Sequence, residues 1–386
     1  MRAILTIAGR ECRRLAGTPI YTFCMVVFPV AVIFFFTSLM DKGQPTDMPV
    51  GVVDLDNTAT SRKLVRLLDA MQSSHVVAHY PSVAEARKAI QRNEIYAFLY
   101  YPKGTTDKLL SCRQPRISIY YSMTSLTSGA LLFRDLKTVS TLGGAGVGQA
   151  TLTAKGLTAR QVKAFLQPIT IDLHQISNPW ANYNIYLSTM LLPGVIMLFI
   201  FLVTPYSIGT ELKGGTNREW ISCANGSMVK ALAGKMLPQT LIFLAVMYAY
   251  MFYVFDILHF PHPGGAGRLL LLGLLSVLAS QGFGIFAFAL MPSLRFSMSV
   301  CSLWGVLSFS IVGSAYPVLS MDTPLQALSW LFPLRHHFMV YQVSVFNGFP
   351  LVCAWPHVAA LVAFALLPLP FLSRLKREVT EYVYLP

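Results

Sequence analysis

The groups able to bind metal or carry out nucleophilic or proton-transfer chemistry are thinly spread along this chain. Its six cysteines (Cys12, Cys24, Cys112, Cys223, Cys301 and Cys353) form no CxxC pair and have no regular spacing. They therefore read as free, mostly buried thiols, not as a disulfide framework or a zinc site. His259 and His262 make an HxxH, but Pro261 and Pro263 deny it the regular helix that would align two ligands. His336 and His337 are adjacent, and neighbouring residues on a helix point apart, so a structural role near a membrane edge is expected. No GxxxxGK[ST] occurs, since Gly234-Lys235 is followed by Met236, and the chain has no phosphate-cradling loop of that kind. Asn225-Gly226-Ser227 is a formal glycosylation sequon. No catalytic residue, metal ligand or cofactor contact is assigned.

The elements that would hold such residues are mostly apolar. Of 386 residues, 54% are hydrophobic and 12% charged, about half the charge of a typical soluble protein. A single water-soluble domain and a disordered chain are both excluded. Six windows lack Asp, Glu, Lys and Arg: Leu15 to Met40, Leu173 to Thr210, Met236 to Phe255, Leu269 to Leu294, Phe296 to Met321 and His336 to Ser373. Each can hold the ~20 apolar residues that cross a bilayer core. The Met291-Pro292-Ser293-Leu294-Arg295 break separates two of them. The first run is too long for a secretory h-region and ends in a poor cleavage site, which predicts an uncleaved anchor. No window holds an Asp, Glu, Lys or Arg at its middle, which argues against an ion-coupled carrier.

Basic residues set the orientation. With the N-terminus inside, the cytoplasmic segments carry twelve Lys and Arg, and the short outer loops carry only Arg268 and Arg335. Both termini are expected in the cytoplasm. The formal charge of +13 is thus read as a topology signal, and no nucleic-acid partner is expected.

Residues 41–183 then lie outside as one insertion. Val50–Asp54, His75–Tyr80, Tyr96–Tyr101 and Ile117–Tyr121 read as strands, and Ser61–Met71 and Val83–Gln91 as helices. Alternation at this spacing predicts an α/β domain with a mixed sheet. Leu126–Lys155 reads as a helix loosened by Gly143, Gly144, Gly146 and Gly148. The fold class is therefore an α-helical membrane protein with six transmembrane helices plus an inserted α/β extracytoplasmic domain.

Several stretches in this order resemble the ABC-2 type permeases, the membrane subunits of ATP-driven exporters, in the branch with a large outer domain. Ile4 to Arg14 looks like the amphipathic connecting helix of that family. Val52-Val53-Asp54-Leu55-Asp56-Asn57 followed by Ser61-Arg62-Lys63-Leu64 is similar to its "VVDxDNxxxSRxL" start. Glu211-Leu212-Lys213-Gly214-Gly215-Thr216 resembles its Glu…Gly-Thr signature. Gly313-Ser314-Ala315-Tyr316-Pro317, Met321, Pro324 and Trp330 to Pro333 are similar to its outer re-entrant hairpin. The usual Pro is missing from Arg218 to Ser227, and a Met-Pro pair is interrupted between Met321 and Pro324.

The resemblance implies the following layout: connecting helix 1–18; spans 19–40, 184–208, 236–257, 268–291, 296–319 and 352–373; extracytoplasmic domain 41–183; coupling loop 209–235; re-entrant hairpin 320–350; tail 374–386. It implies a permease in the inner membrane that exports an amphiphilic or drug-like substrate. Separate ATPase subunits would drive it, and ATP and Mg would be bound there, not in this chain. Glu211, Gly215, Thr216, Arg218, Trp220 and Ile221 would couple to the ATPase, with Trp220 and Ile221 as an apolar knob seated in its groove. Arg10, Arg13 and Arg14 would mark the connecting helix, with Arg218 or Arg13 as partner to Glu211. Gly313, Pro317, Met321, Pro324 and Pro333 would shape the hairpin. Further expected partners are a second permease copy or a paralogue, a periplasmic adaptor and the lipid bilayer. The competing class is a lipid-processing membrane enzyme or a receptor with an outer sensory domain.

Overall fold

The computed structural model describes residues 2–111, 113–168, 174, 178–179 and 181–381. It divides into a helical unit, Met1–Asp41 with Ile176–Pro386, and an inserted unit, Lys42–Gln175. The expected domain end at Tyr183 is displaced, because Tyr183 opens the next helix of the helical unit.

Helix α1 (Arg2–Gly17) buries Ile7, Ala8, Glu11 and Leu15 and exposes Arg13 on the opposite face. The first span follows, α2 (Pro19–Thr22) and α3 (Phe28–Leu39), joined by a π-turn over Phe23–Val27.

In the inserted unit, β1 (Met48–Asp54), α4 (Ala59–Asp69), β2 (Ser74–His79), α5 (Val83–Gln91), β3 (Ala97–Tyr101), α6 (Thr105–Leu110) and β4 (Ser118–Tyr121) follow one another, then α7 (Leu126–Ala154) and α8 (Ala159–Leu166). The sheet order is β2-β1-β3-β4, with β1 parallel to β2 and β3, and β4 antiparallel to β3. Successive strand residues face opposite sides. Val50 and Val52 therefore pack with Leu68 of α4 and with Leu132 and Leu136 of α7, whereas Val53 packs with Ala86 and Ala89 of α5. The Asp-x-Asp-Asn stretch is local turn chemistry. Asp54 Oδ1 accepts from the amides of Asp56 and Asn57 (3.0 and 2.9 Å), and Asp54 Oδ2 accepts from Ser61 Oγ at 2.6 Å. Thr58 and Ser61 form a capping box at the start of α4.

One expectation here is corrected. The glycines do not loosen α7, which runs unbroken to Ala154. Gly143 lies against Leu64 and Gly148 against Leu166, so small residues serve close packing inside an intact helix.

The helical unit resumes with α9 (Tyr183–Lys213), α10 (Asn217–Cys223), α11 (Met228–Met251, continued by a π-turn Phe252–Ile257), α12 (Ala266–Leu290) and α13 (Leu294–Ile311). After these come α14 (Thr323–Ser329), α15 (Pro333–Val340, continued by a π-turn Tyr341–Phe346), α16 (Trp355–Leu366) and α17 (Leu372–Glu381). Among the described residues, six stretches are long and apolar enough to cross a membrane: Pro19–Leu39, Tyr183–Lys213, Met228–Ile257, Ala266–Leu290, Leu294–Ile311 and Leu351–Glu381. Pro193 and Pro205 lie inside α9, as spanning helices tolerate when neighbours satisfy the freed carbonyls.

Three segments differ from expectation. The 209–235 segment is mostly helical: α9 runs on to Lys213, and α11 begins at Met228. The helix expected over 296–319 stops at Ile311, ahead of Gly313 at φ +101°. The last span is broken beyond Leu366 by a 3-10 turn, Leu369–Phe371, set among Pro368 and Pro370.

Candidate functional site

Helix α1 and the two helix ends around α10 meet at one end of the bundle. Trp220, Ile221 and Ala224 pack there with Ile7, Leu212, Ala231, Leu232, Phe288 and, from α17, Leu375 and Val379. Asn217 Nδ2 donates to Val379 O at 2.5 Å, which ties α10 to α17. The close approach of α1 to α11 needs Gly234, because a Cβ there would sit 2.8 Å from Ile4 O and from Ile7 Cβ.

That approach closes a buried charge cluster. Lys235, fully buried, donates to Glu11 Oε2 and to Glu211 Oε1, both at 2.7 Å. Arg10 and Arg14 each reach Glu211 Oε1 at 2.5 Å, and Thr216 Oγ1 donates to Glu211 Oε2. Gln239 Nε2 donates to Glu11 Oε1 at 3.0 Å. The Lys235 ammonium also lies 5.3 Å from the centre of the Trp220 ring, within cation–π range. Three cations against the two buried carboxylates leave +1, and the exposed Glu219 lies 3.9 Å from Arg10. Removing one partner from a buried ion pair costs ~3–5 kcal/mol, so the arrangement fixes α1, the end of α9 and the start of α11 to one another. Each charged group is spent on another, so the cluster holds helices in place and presents no free nucleophile or base.

Sequence reading and structure agree on some of these residues and part on others. The structure brings Arg10, Arg14, Glu211 and Thr216 together, with Gly215 at φ +67° making the turn between α9 and α10. Arg13 and Arg218 are exposed and make no contact with Glu211, so the proposed pairings are corrected to Arg10, Arg14 and Lys235. Trp220 and Ile221 are also corrected. Trp220 is 0% exposed, with Nε1 donating to Ala231 O at 3.1 Å, so neither residue stands out as a docking knob. The outward face of α10 is Arg218, Glu219 and Ser222.

Glu11 and Gln239 were not singled out in the sequence, and Lys235 was noted only beside Gly234, with no ion-pair role. Glu11 sits one turn from both Ile7 and Leu15, a carboxylate on the apolar face of an amphipathic helix, and that misplacement is the signal.

The hairpin residues lie at the other end of the bundle. Arg335 Nη1 donates to Val312 O at 3.1 Å beside Gly313. Pro317 precedes a 3-10 turn, Val318–Ser320, and Met321 O accepts from Gln326 Nε2 at 2.8 Å. Pro324 and Pro333 stand in the first turns of α14 and α15, where a proline costs no helix hydrogen bond. His337 Nδ1 meets Ser276 Oγ at 2.6 Å, and His336 Nδ1 lies 2.9 Å from His357 Nδ1. Among the described residues, no group of three His, Cys, Asp or Glu could hold a metal ion.

Compared with known proteins, residues 19–372 match the family profile described as ABC-2 family transporter protein. No curated protein matches the chain at a significant level. The profile takes in all six apolar helices except the last turns of the sixth, and the inserted α/β unit as well. The chain therefore belongs to the ABC-2 transporter family and is a multi-pass membrane protein, the permease subunit of an ABC transporter.

Proposed function

We propose that this permease exports an amphiphilic or drug-like substrate, with ABC ATPase subunits docking at the bundle end formed by α1, α10 and α17. The observation that carries this reading is the Glu11–Lys235–Glu211 cluster, which joins α1 to the ends of α9 and α11. A push on α10 then moves α1 and two spans as one body, since a buried ion network deforms less readily than an apolar slide. ATP and Mg would be held by the ATPase subunits. A second permease copy or a paralogue would complete the path, and a periplasmic adaptor would meet the inserted domain. In this reading the protein lies in the inner membrane, with the α1 end and both termini facing the cytoplasm.

Contact with the ATPase falls to the exposed residues Arg218, Glu219 and Ser222. The test is co-purification and ATPase stimulation for Arg218→Glu with Ser222→Arg, at equal membrane levels. Loss of ATPase association with an unchanged permease melting temperature is expected. Full association and full stimulation would remove α10 as the docking element.

A further inference from the structure

Helices α12, α13 and α16 line an open-sided cleft of about 570 Å³ that no role above uses, walled by Phe283, Phe286, Trp304, Trp330, Leu331 and Phe364. That is within the ~300–1,000 Å³ of small-ligand pockets. On α16 its wall is the stripe Ala360, Ala363, Phe364 and Leu367, and His357 extends the same helical face by one turn.

The hydrogen bonds around His357 fix its protons. His336 Nε2 lies 2.9 Å from Trp330 O, and a carbonyl only accepts, so Nε2 carries the hydrogen. His336 Nδ1 is then a lone pair. His357 Nδ1, 2.9 Å away, must donate to it, which leaves His357 Nε2 as a bare acceptor with no partner among the described residues. Trp330 joins the two features: its ring walls the cavity and stacks on His357 at 5.1 Å and 21°. Its ring N–H also has no partner among the described residues. The Trp304 N–H, by contrast, is spent on Leu331 O at 3.1 Å.

An apolar slot inside a membrane-spanning bundle thus ends beside one unspent acceptor and one unspent donor. A carboxyl head suits both: it gives its hydrogen to His357 Nε2, or pairs as carboxylate with the imidazolium, and accepts from the Trp330 N–H. An ester head has no hydrogen to give. We propose that this cleft binds a single-chain carboxylic amphiphile drawn from the bilayer, with its chain along α16 and its head at His357 and Trp330. The site is independent of transport direction and of how the ATPase couples.

The experiment uses full-length protein in lipid nanodiscs and a photoreactive diazirine analogue of hexadecanoic acid, with labelled peptides mapped by mass spectrometry. Label is expected on α12 and α16 beside the cavity. Hexadecanoic acid is expected to compete about tenfold better than its methyl ester, as a charge-assisted hydrogen bond provides. His357→Leu should bring acid and ester level, and Ala363→Phe, which fills the slot, should abolish the label. Equal competition by acid and ester in the unaltered protein, a comparison that needs no variant, would overturn the proposal. So would undiminished labelling of Ala363→Phe.

Discussion

Glu211 gathers three cations and a hydroxyl, yet the residue that ties them to the N-terminal helix from the far side is Lys235, shared with Glu11. Lys235→Met leaves Glu11 with only Gln239 and is expected to cost ~3–5 kcal/mol, read as a lower melting temperature of the purified permease. Adding Glu11→Gln should recover much of that loss, because the carboxylate left unpaired is then gone. A double-mutant cycle checks this, and additive losses would show that the two residues are uncoupled. Asp56 gives a second residue-scale prediction. Burial raises its carboxyl pKa, but hydrogen bonds from the Thr106 hydroxyl and amide, the Thr58 hydroxyl and the Thr105 amide outweigh it, and the net pKa is lowered. A lowered folded-state pKa contributes stability that is complete above the unfolded value of about 3.9 and is lost as pH falls through the folded value. Between about pH 5 and pH 2 the stability gap between the inserted domain and its Asp56→Asn variant should therefore close. A gap that stays constant with pH would show that the ionised carboxylate is not what the threonines hold.

Among the elements, α7 separates two uses of glycine within one turn. A Cβ at Gly143 would sit 2.7 Å from Leu64 Cδ2, whereas at Gly144 nothing lies within 4 Å. Gly144→Ala should stabilise the inserted domain by ~0.5–1 kcal/mol through helix propensity alone. Gly143→Ala should lose that gain to the contact with α4. Chemical denaturation of the two variants side by side checks the order. The same element shows what sequence conveys and what it hides. Four glycines in six positions read as a weak helix, because a single sequence displays propensity and not the neighbour that requires the small residue. Strand β1 and helix α5 were legible from alternation and periodicity. The 209–235 segment was legible as a stretch between two spans but not in depth: Trp220 in a short polar stretch looks like a protruding knob until α11 and α17 are seen to close over it. The cluster was half legible. Arg10, Arg14 and Glu211 stand out by type, but Glu11 and Lys235 become partners only through the approach at Gly234, a contact between segments far apart in the chain.

At the scale of the whole molecule, the chain is two folding problems. The inserted unit Lys42–Gln175 has its own sheet and a core on both faces of it, so it is expected to be soluble and to unfold cooperatively when expressed alone. A broad, non-cooperative melt of Lys42–Gln175 would show that its stability comes from the helical unit.

The 224 positions between Glu11 and Lys235 also set an order of events during synthesis. The ribosome delivers Glu11 first, then the inserted domain, then Glu211, and only afterwards the lysine that both carboxylates share. Until the third span emerges, Glu11 lacks its lysine and Glu211 has only Arg10 and Arg14. A nascent chain that stops short of Lys235 leaves the seam between α1 and α11 without its ion pairs, so the N-terminal helix gains its buried anchor only when the third span is made.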